Sequence, residues 1–407
     1  RPCRWFPGVS PGPGRRSRAA PAVSGPLVVP GGSRSGDDVP APLGEGPVQI
    51  LPDRGEHPDP REPDRLAGRV FQGELLDVDP GVADVGEEPR HLPRPVRQQH
   101  GDHLERGRRR AVLARQDTAN LPLRVVHAGE VITMTDVPSE ASRQKQDSSM
   151  HVGMNLVKAG KADAFVSAGN TGGVLAVAML QTLRRIRGIK RPALGVLFPI
   201  KGNPMLIDNG ANADARPEFL LQFAQMGSLY VERVRGVPNP RVALLSNGEE
   251  EGKGNELIKE TIPLLAGSGL NYIGNVEPKE FIFGAADVAV ADGFTGNIIM
   301  KTAEAIASYM SETIREEIKA NPLTTLGGLL ARPAFARVRR RLDPDEVGGA
   351  PLLGVDGVVI VAHGRSSAYA IKQAVGQARQ AVAHDIVGAI RAGVAANPSS
   401  EKVEIQQ

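Results

Sequence analysis

The chain has 407 residues, 41% of them hydrophobic, 23% charged and 4% aromatic, with a formal net charge of +3. That is enough apolar material for one large or two ordinary α/β domains, while so small a charge gives no support to a general polyanion-binding role, so no nucleic-acid partner is expected. No apolar run reaches the ~18–20 residues that cross a bilayer, no secretory leader is legible, and the single cysteine, Cys3, excludes an internal disulfide framework or a cysteine-built metal site. The expectation is a soluble, cytoplasmic protein.

Residues 1–118 read differently from the rest. The first 120 positions hold 18 of the 33 prolines, 16 of the 47 glycines and 18 arginines, but no lysine. Proline and glycine at that level without a period read as irregular or disordered sequence. Val70–Val78 has the texture of a short strand and Leu104–Arg115 that of a short arginine-rich helix, neither with a clear partner. His57, His91, His100 and His103 read as solvated side chains, because no acid or thiol stands at metal-ligand spacing from them.

A second unit is expected over 119–397, with a polar tail at 398–407. Strand-like runs are Arg124–His127, Ala164–Ser167, Ala193–Phe198, Met205–Asp208, Arg241–Ser246, Asn271–Ile273, Val288–Ala291 and Val358–Ala362. Helical patterns lie between them at Met150–Ala159, Val174–Ile186, Glu218–Val234, Glu256–Leu265, Gly296–Ile318 and Ala368–Ala395. This alternation predicts an α/β fold with a mostly parallel sheet and helices on both faces. Ligands of such sheets sit at strand ends, and the polar loops here follow strands.

SAGNTGG (Ser167–Gly173) opens a helix with glycines that admit a ligand and amides that favour an anion, so Ser167, Gly169, Asn170, Thr171 and Gly172 are candidates for phosphate binding. A capped turn without ligand explains the same word. DNGANAD (208–214) offers Asp208 and Asn212 to orient a ligand or to close an Asx turn. In NGEEEGKGNE (247–256), Lys253 can hold a phosphate as a point charge, with Asn247, Glu249, Glu250 and Asn255 around it; a solvated acidic loop is the alternative. ADGFTGNIIMK (291–301) gives Asp292, Gly293, Thr295 and Gly296 at a helix start, with Asn297 and Lys301 one turn apart on one face. His363 in AHGRSS (362–367) is a candidate acid/base or phosphate donor at a strand end. The catalytic candidates are Lys253, His363, Asn297 and Lys301. The strand ends are expected to converge on one face, and no Ser-His-Asp or Cys-His nucleophile is legible.

Between 321 and 342 the sequence predicts a basic amphipathic helical segment. Leu326, Leu329, Leu330 and Phe335 interleave with Arg337 and Arg340, a pattern suited to an anionic membrane surface, to an acidic carrier, or to a packed helix with its arginines in water.

From about 121 to 395 the chain closely resembles the bacterial phosphate acyltransferase family (acyl-ACP:phosphate transacylase, PlsX). The matching words, in order, are VHAGEVITM, RQKQDSSM, DAFVSAGNTGG, DNGAN, LLQFAQMG, NGEEEGKGNEL, IGNVE, ADGFTGN, GGAPLLG and AHGRSS. The resemblance implies a homodimer with a fold similar to the isocitrate/isopropylmalate dehydrogenase and phosphotransacetylase group. It implies transfer of a fatty acyl group from acyl-[acyl-carrier-protein] to inorganic phosphate, giving acyl phosphate for phospholipid synthesis, with no metal and no organic cofactor. It further implies peripheral contact with membrane and with the downstream acyl-phosphate glycerol-3-phosphate acyltransferase. The alternatives are phosphotransacetylase-like transfer from a short acyl-CoA, or an inactive carrier- or membrane-binding remnant. The family opens with a strand and the word Asp-Ala-Met-Gly-Gly-Asp, and residues 1–120 contain no such word. Their lysine-free, arginine-rich composition is that of a wrong reading frame in GC-rich DNA, and resequencing the locus tests that reading.

Overall fold

The structure, a computed structural model, describes residues 48–52, 70–72, 123–200 and 202–396. The elements begin with β1 (Val48–Pro52), β2 (Val70–Gln72), β3 (Leu123–His127), α1 (Pro138–Gln144), α2 (Ser149–Lys158), β4 (Ala164–Ser167) and α3 (Thr171–Ala176), which runs into a π turn at Val177–Gln181. They continue with β5 (Ala193–Leu197), β6 (Met205–Ile207), α4 (Pro217–Arg235), β7 (Val242–Leu245), α5 (Glu256–Ala266), β8 (Tyr272–Val276), α6 (Pro278–Ile282) and β9 (Val288–Val290). A helical hairpin of α7 (Gly293–Lys319) and α8 (Pro322–Leu342) follows, then β10 (Gly349–Leu353), β11 (Val358–Ala362), α9 (Ala368–Ala383) and α10 (Ile386–Ala396).

The α/β expectation holds: among the described residues eleven strands form one sheet in the order β3-β1-β2-β4-β11-β10-β5-β6-β9-β7-β8. Its parallel pairings fall in two blocks, β2-β4-β11 and β6-β9-β7-β8. The antiparallel strands β10 and β5 join them, and β1 and β3 close one edge. Alternation along each strand explains the layering, since neighbouring side chains point to opposite faces. Ala164, Val166, Val242, Leu244, Val288, Val290 and Ile360 enter one core with α4, α9 and α10. Phe165, Ala243, Leu245, Ala289, Val359 and Val361 enter the other with α2, α3 and the start of α7.

Several boundaries differ from the sequence reading. The pattern at Val174–Ile186 is not one helix: α3 ends at Ala176, the π turn follows, and the Thr182 hydroxyl donates to the Val177 carbonyl at 2.9 Å, a side-chain bond that competes with the helical ladder. The run Ala368–Ala395 is two helices, because Asp385 adopts φ 43° and its carboxylate accepts from Gly388 N–H at 3.1 Å. β10 is a strand that its sequence GAPLL disguised, proline being disfavoured within sheets. Of the strand expected over Val70–Val78, Val70–Gln72 is β2, which pairs with β4, and 73–78 lie outside the described residues. Leu104–Arg115, Cys3 and His57, His91, His100 and His103 lie outside the described residues.

Candidate active site

The polar loops do not converge on a single edge of the sheet. From β11 to β10, β10 to β5 and β5 to β6 every step is antiparallel, so the block ending in SAGNTGG and AHGRSS runs opposite to the block ending in DNGAN, ADGFTGN and the 247–256 loop. Three reversals are what the sequence pattern concealed, because a strand's own residues do not encode its neighbour's direction.

Helix α7 bridges the two sets. At its start it is seated on the DNGAN loop: Gly293 N–H donates to the Asn212 carbonyl at 2.8 Å. A Cβ on Gly296 would stand 2.0 Å from the Asp208 carbonyl oxygen, so only glycine permits this approach. Asp292 caps α7, its carboxylate accepting from Thr295 N–H at 2.8 Å and from the Thr295 hydroxyl at 2.7 Å. Asn297 is exposed and faces Gly210. One turn further on, Lys301 Nζ lies 3.5 Å from His363 Nε2 at the end of β11 and 3.4 Å from Glu304 Oε2. Glu304 also takes Arg365 Nη2 at 3.4 Å. Two cations, one of them beside the His363 imidazole, thus share one carboxylate.

Asp208 is fully buried. Its carboxylate accepts from the N–H groups of Leu194 (2.9 Å), Ala211 (3.1 Å) and Asn212 (2.7 Å), and from Asn212 Nδ2 (2.9 Å). Burial prevails and holds its pKa above the usual carboxylate value, although these donors oppose it; four donors facing two oxygens accommodate the carboxylate form. Asn212 Nδ2 also donates to the Pro192 carbonyl at 2.8 Å, tying the loop to the entrance of β5.

The β4 turn is built just as tightly. The Asn170 side chain caps α3 through Gly173 N–H (3.0 Å) and donates to the carbonyls of Thr133 (3.0 Å) and Asp136 (3.3 Å). Ser167 Oγ accepts from Gly169 N–H at 3.2 Å, and a Cβ on Gly172 would stand 2.6 Å from Pro138. Thr171 is exposed at the helix start. The Asp136 carboxylate accepts from Lys145 Nζ at 2.5 Å and from Thr133 N–H at 2.7 Å; burial raises its pKa, but these bonds prevail and hold it below the usual value. The 131–136 turn so fixed places Met134 over Gly364, next to His363.

Lys253 is exposed on the 247–256 loop with Glu249 and Glu250. Asn247 Oδ1 accepts from Gly254 N–H at 2.9 Å, and Asn255 caps α5 through Ile258 N–H at 3.0 Å. This loop shares an edge with DNGAN and ADGFTGN but not the His363 cluster. Arg365, Glu304, Asp136 and Lys145 are the site residues that the sequence reading missed. Glu304 stands three residues after Lys301 on one helix face and Arg365 belongs to the AHGRSS word, so spacing alone carried a signal for both. Among the described residues no group of three His, Cys, Asp or Glu side chains is arranged to hold a metal.

Partial desolvation, then the neighbouring Lys301 and Arg365 cations, hold the His363 imidazole below its ordinary value of 6.5. The ring is expected to remain neutral at pH 6.5 and to take its proton only at lower pH. An unfolded histidine protonates first, so as pH falls from 6.5 towards the folded value the unfolded state binds more protons and stability drops, levelling off below that value. The His363 Cε1–H chemical shift followed against pH checks this, and a midpoint at or above 6.5 contradicts it.

A sequence profile described as "Fatty acid synthesis protein" matches residues 105–388. Phosphate acyltransferase from Elusimicrobium minutum (strain Pei191) is 50% identical over 274 residues, which span 67% of this chain and 80% of that one. Phosphate acyltransferase from Heliobacterium modesticaldum (strain ATCC 51547 / Ice1) is 49% identical over 66% of this chain and 80% of its own. Among solved structures, a phosphotransacetylase from Streptococcus pyogenes superposes with a TM-score of 0.40 at 20% identity, covering 60% of this chain and 70% of that chain.

Proposed function

Because this chain belongs to the family of fatty acid synthesis proteins that contains the phosphate acyltransferases, and is an acyltransferase, we propose that it moves a fatty acyl group from the thioester of an acyl carrier protein to inorganic phosphate. The observation that carries the site assignment is the Lys301–His363–Arg365 group gathered around Glu304. Two cations and a neutral imidazole at the mouth of the parallel block form a receptor for phosphate, and Glu304 positions both cations.

Hydrogen phosphate is already an anionic nucleophile, so the site has to align it rather than deprotonate it. One phosphate oxygen attacks the thioester carbonyl carbon. Lys301 steadies negative charge on phosphate and on the tetrahedral oxyanion. The C–S bond then breaks, and the departing sulfur takes the proton that hydrogen phosphate carried, on the Nε2 side of His363, whose Nδ1 accepts from the Arg365 N–H at 3.3 Å. The products are acyl phosphate and the free carrier thiol, and the balance needs no further reactant.

The acyl phosphate fits the role of activated donor for phospholipid synthesis by a downstream glycerol-3-phosphate acyltransferase. The α7–α8 hairpin supports the expectation of a homodimer that touches membrane. It exposes Tyr309, Met310, Leu326, Leu329, Leu330 and Phe335, and no α8 side chain is buried. Among the described residues no helix is long and apolar enough to cross a membrane, so contact would be from the surface.

The test is purified protein incubated with palmitoyl-ACP, with and without phosphate, and hydroxylamine to trap acyl phosphate. Phosphate-dependent hydroxamate is expected, with acetyl-CoA a poor donor. Absence of product beside an active relative overturns the reading.

A further inference from the structure

The loop between the π turn and β5 has no role in the site just described. From Asp163 to Asp208 the sequence contains no acidic residue, and Arg184, Arg185, Arg187, Lys190 and Arg191 fall within eight positions of it. The loop is held rigidly. Ile186 and Ile189 are buried beneath it. The fully buried Gln222 of α4 grips its backbone, donating to the Gly188 carbonyl and accepting from Lys190 N–H, both at 2.8 Å. Ile186 N–H donates to the Gly354 carbonyl, and Asp356 N–H to the Arg184 carbonyl, both at 3.0 Å. With two isoleucines inward and the backbone clamped, the cations face outward: Arg184, Arg185, Arg187 and Arg191 are exposed. Among the described residues, Arg184, Arg187 and Arg191 make no ion pair.

Four exposed arginines held close together repel one another, a cost that an acidic partner offsets. The loop leads directly into the site. The Pro192 carbonyl accepts from Asn212, and Leu194 N–H donates to Asp208, in the loop on which α7 starts. From Gly293 to Lys301 the helix rises roughly 12 Å, a length of α7 along which an extended prosthetic arm can run.

We propose that residues 184–191 form the docking surface for the acidic acyl carrier protein, steering it by charge so that its thioester arm runs along α7. This rests on the carrier-linked reading above. The α8 arginines are a poorer fit for a purely electrostatic dock. They interleave with exposed leucines, and acids flank them: Glu312, Glu316 and Glu317 on α7, then Asp343, Asp345 and Glu346 after α8.

The test compares the full chain with its Arg184→Glu/Arg187→Glu/Arg191→Glu variant, and with the milder Arg187→Gln/Arg191→Gln variant, using palmitoyl-ACP and palmitoyl-pantetheine as donors. Expected are a rise in KM for palmitoyl-ACP of about tenfold or more, kcat within about twofold, and a flatter salt dependence, as loss of steering charges predicts. Rates with palmitoyl-pantetheine, which lacks the protein, should not change, and they report that the variants are folded. Unchanged KM for palmitoyl-ACP in the triple variant overturns this proposal alone. A wild-type chain that uses palmitoyl-pantetheine but not palmitoyl-ACP overturns the carrier reading with it. Loss of flotation on phosphatidylglycerol vesicles with unchanged carrier kinetics also overturns the proposal and assigns the loop to membrane.

Discussion

Asp208→Ala is expected to destabilise the protein by about 3–5 kcal/mol, the range for removing one partner from a buried, fully bonded charged site. The carboxylate has no contact with solvent, and it satisfies three backbone N–H groups and one side-chain amide. Without it, the Leu194, Ala211 and Asn212 backbone N–H groups lose their acceptor, and Asn212 Nδ2 keeps only the Pro192 carbonyl. Asp208→Asn is expected to be nearly as damaging, because its NH2 group would face N–H donors where an oxygen now accepts. Function should fall further than stability. The loop that Asp208 closes also seats α7 through Gly293 and Gly296, and α7 carries Lys301. A loss of activity of more than about tenfold is therefore expected even at temperatures where the variant is folded, since small displacements of a positioned group cost large factors in rate. Urea unfolding together with the hydroxamate assay checks both parts. A change in stability below about 1 kcal/mol would mean that water replaces the carboxylate at little cost.

The largest catalytic effect is expected at Lys301. Its ammonium is half-exposed, so Lys301→Ala should leave the thermal midpoint almost unchanged. In kcat/KM the loss should be on the order of 10²–10³, the size seen when a single preorganised group that stabilises developing charge is removed. Lys301→Arg should recover part of this, because the charge survives with a different reach. An independent signature accompanies it: with one neighbouring cation gone, the His363 titration should move up towards its ordinary value. Activity within about threefold of wild type would remove Lys301 from the phosphate site and leave Lys253 as the competing cation.

Much of the architecture was legible because it rests on local rules. The strands Ala164–Ser167 and Val358–Ala362 are where short continuous apolar runs place them. α4 and α5 fall within a residue or two of their helical patterns. The breaks that were missed depend on single side chains acting at a distance the pattern does not register: Thr182 turning back on Val177, Asp385 in a left-handed conformation, and Pro351 inside a strand whose neighbours supply the remaining bonds. At the site, the words were visible and their roles were not. Asn170 and Asp292 are spent on capping, and Asp208 on closing its own loop. Arg365 and Glu304 act only because one helix crosses from one block of the sheet to the other.

By itself the sequence determined the α/β class, the runs that become strands and helices, the polar words at their ends and, through those words, the family. These follow from side-chain period and local turn chemistry, which each segment carries within itself. Only the tertiary structure decided that the two parallel blocks run in opposite directions, that α7 joins them, that Lys301 meets His363, and that a clamped basic loop stands at the entrance of β5. Those are relations between residues tens of positions apart, fixed by strand pairing and by the close approach that Gly293 and Gly296 allow, and no local period encodes them.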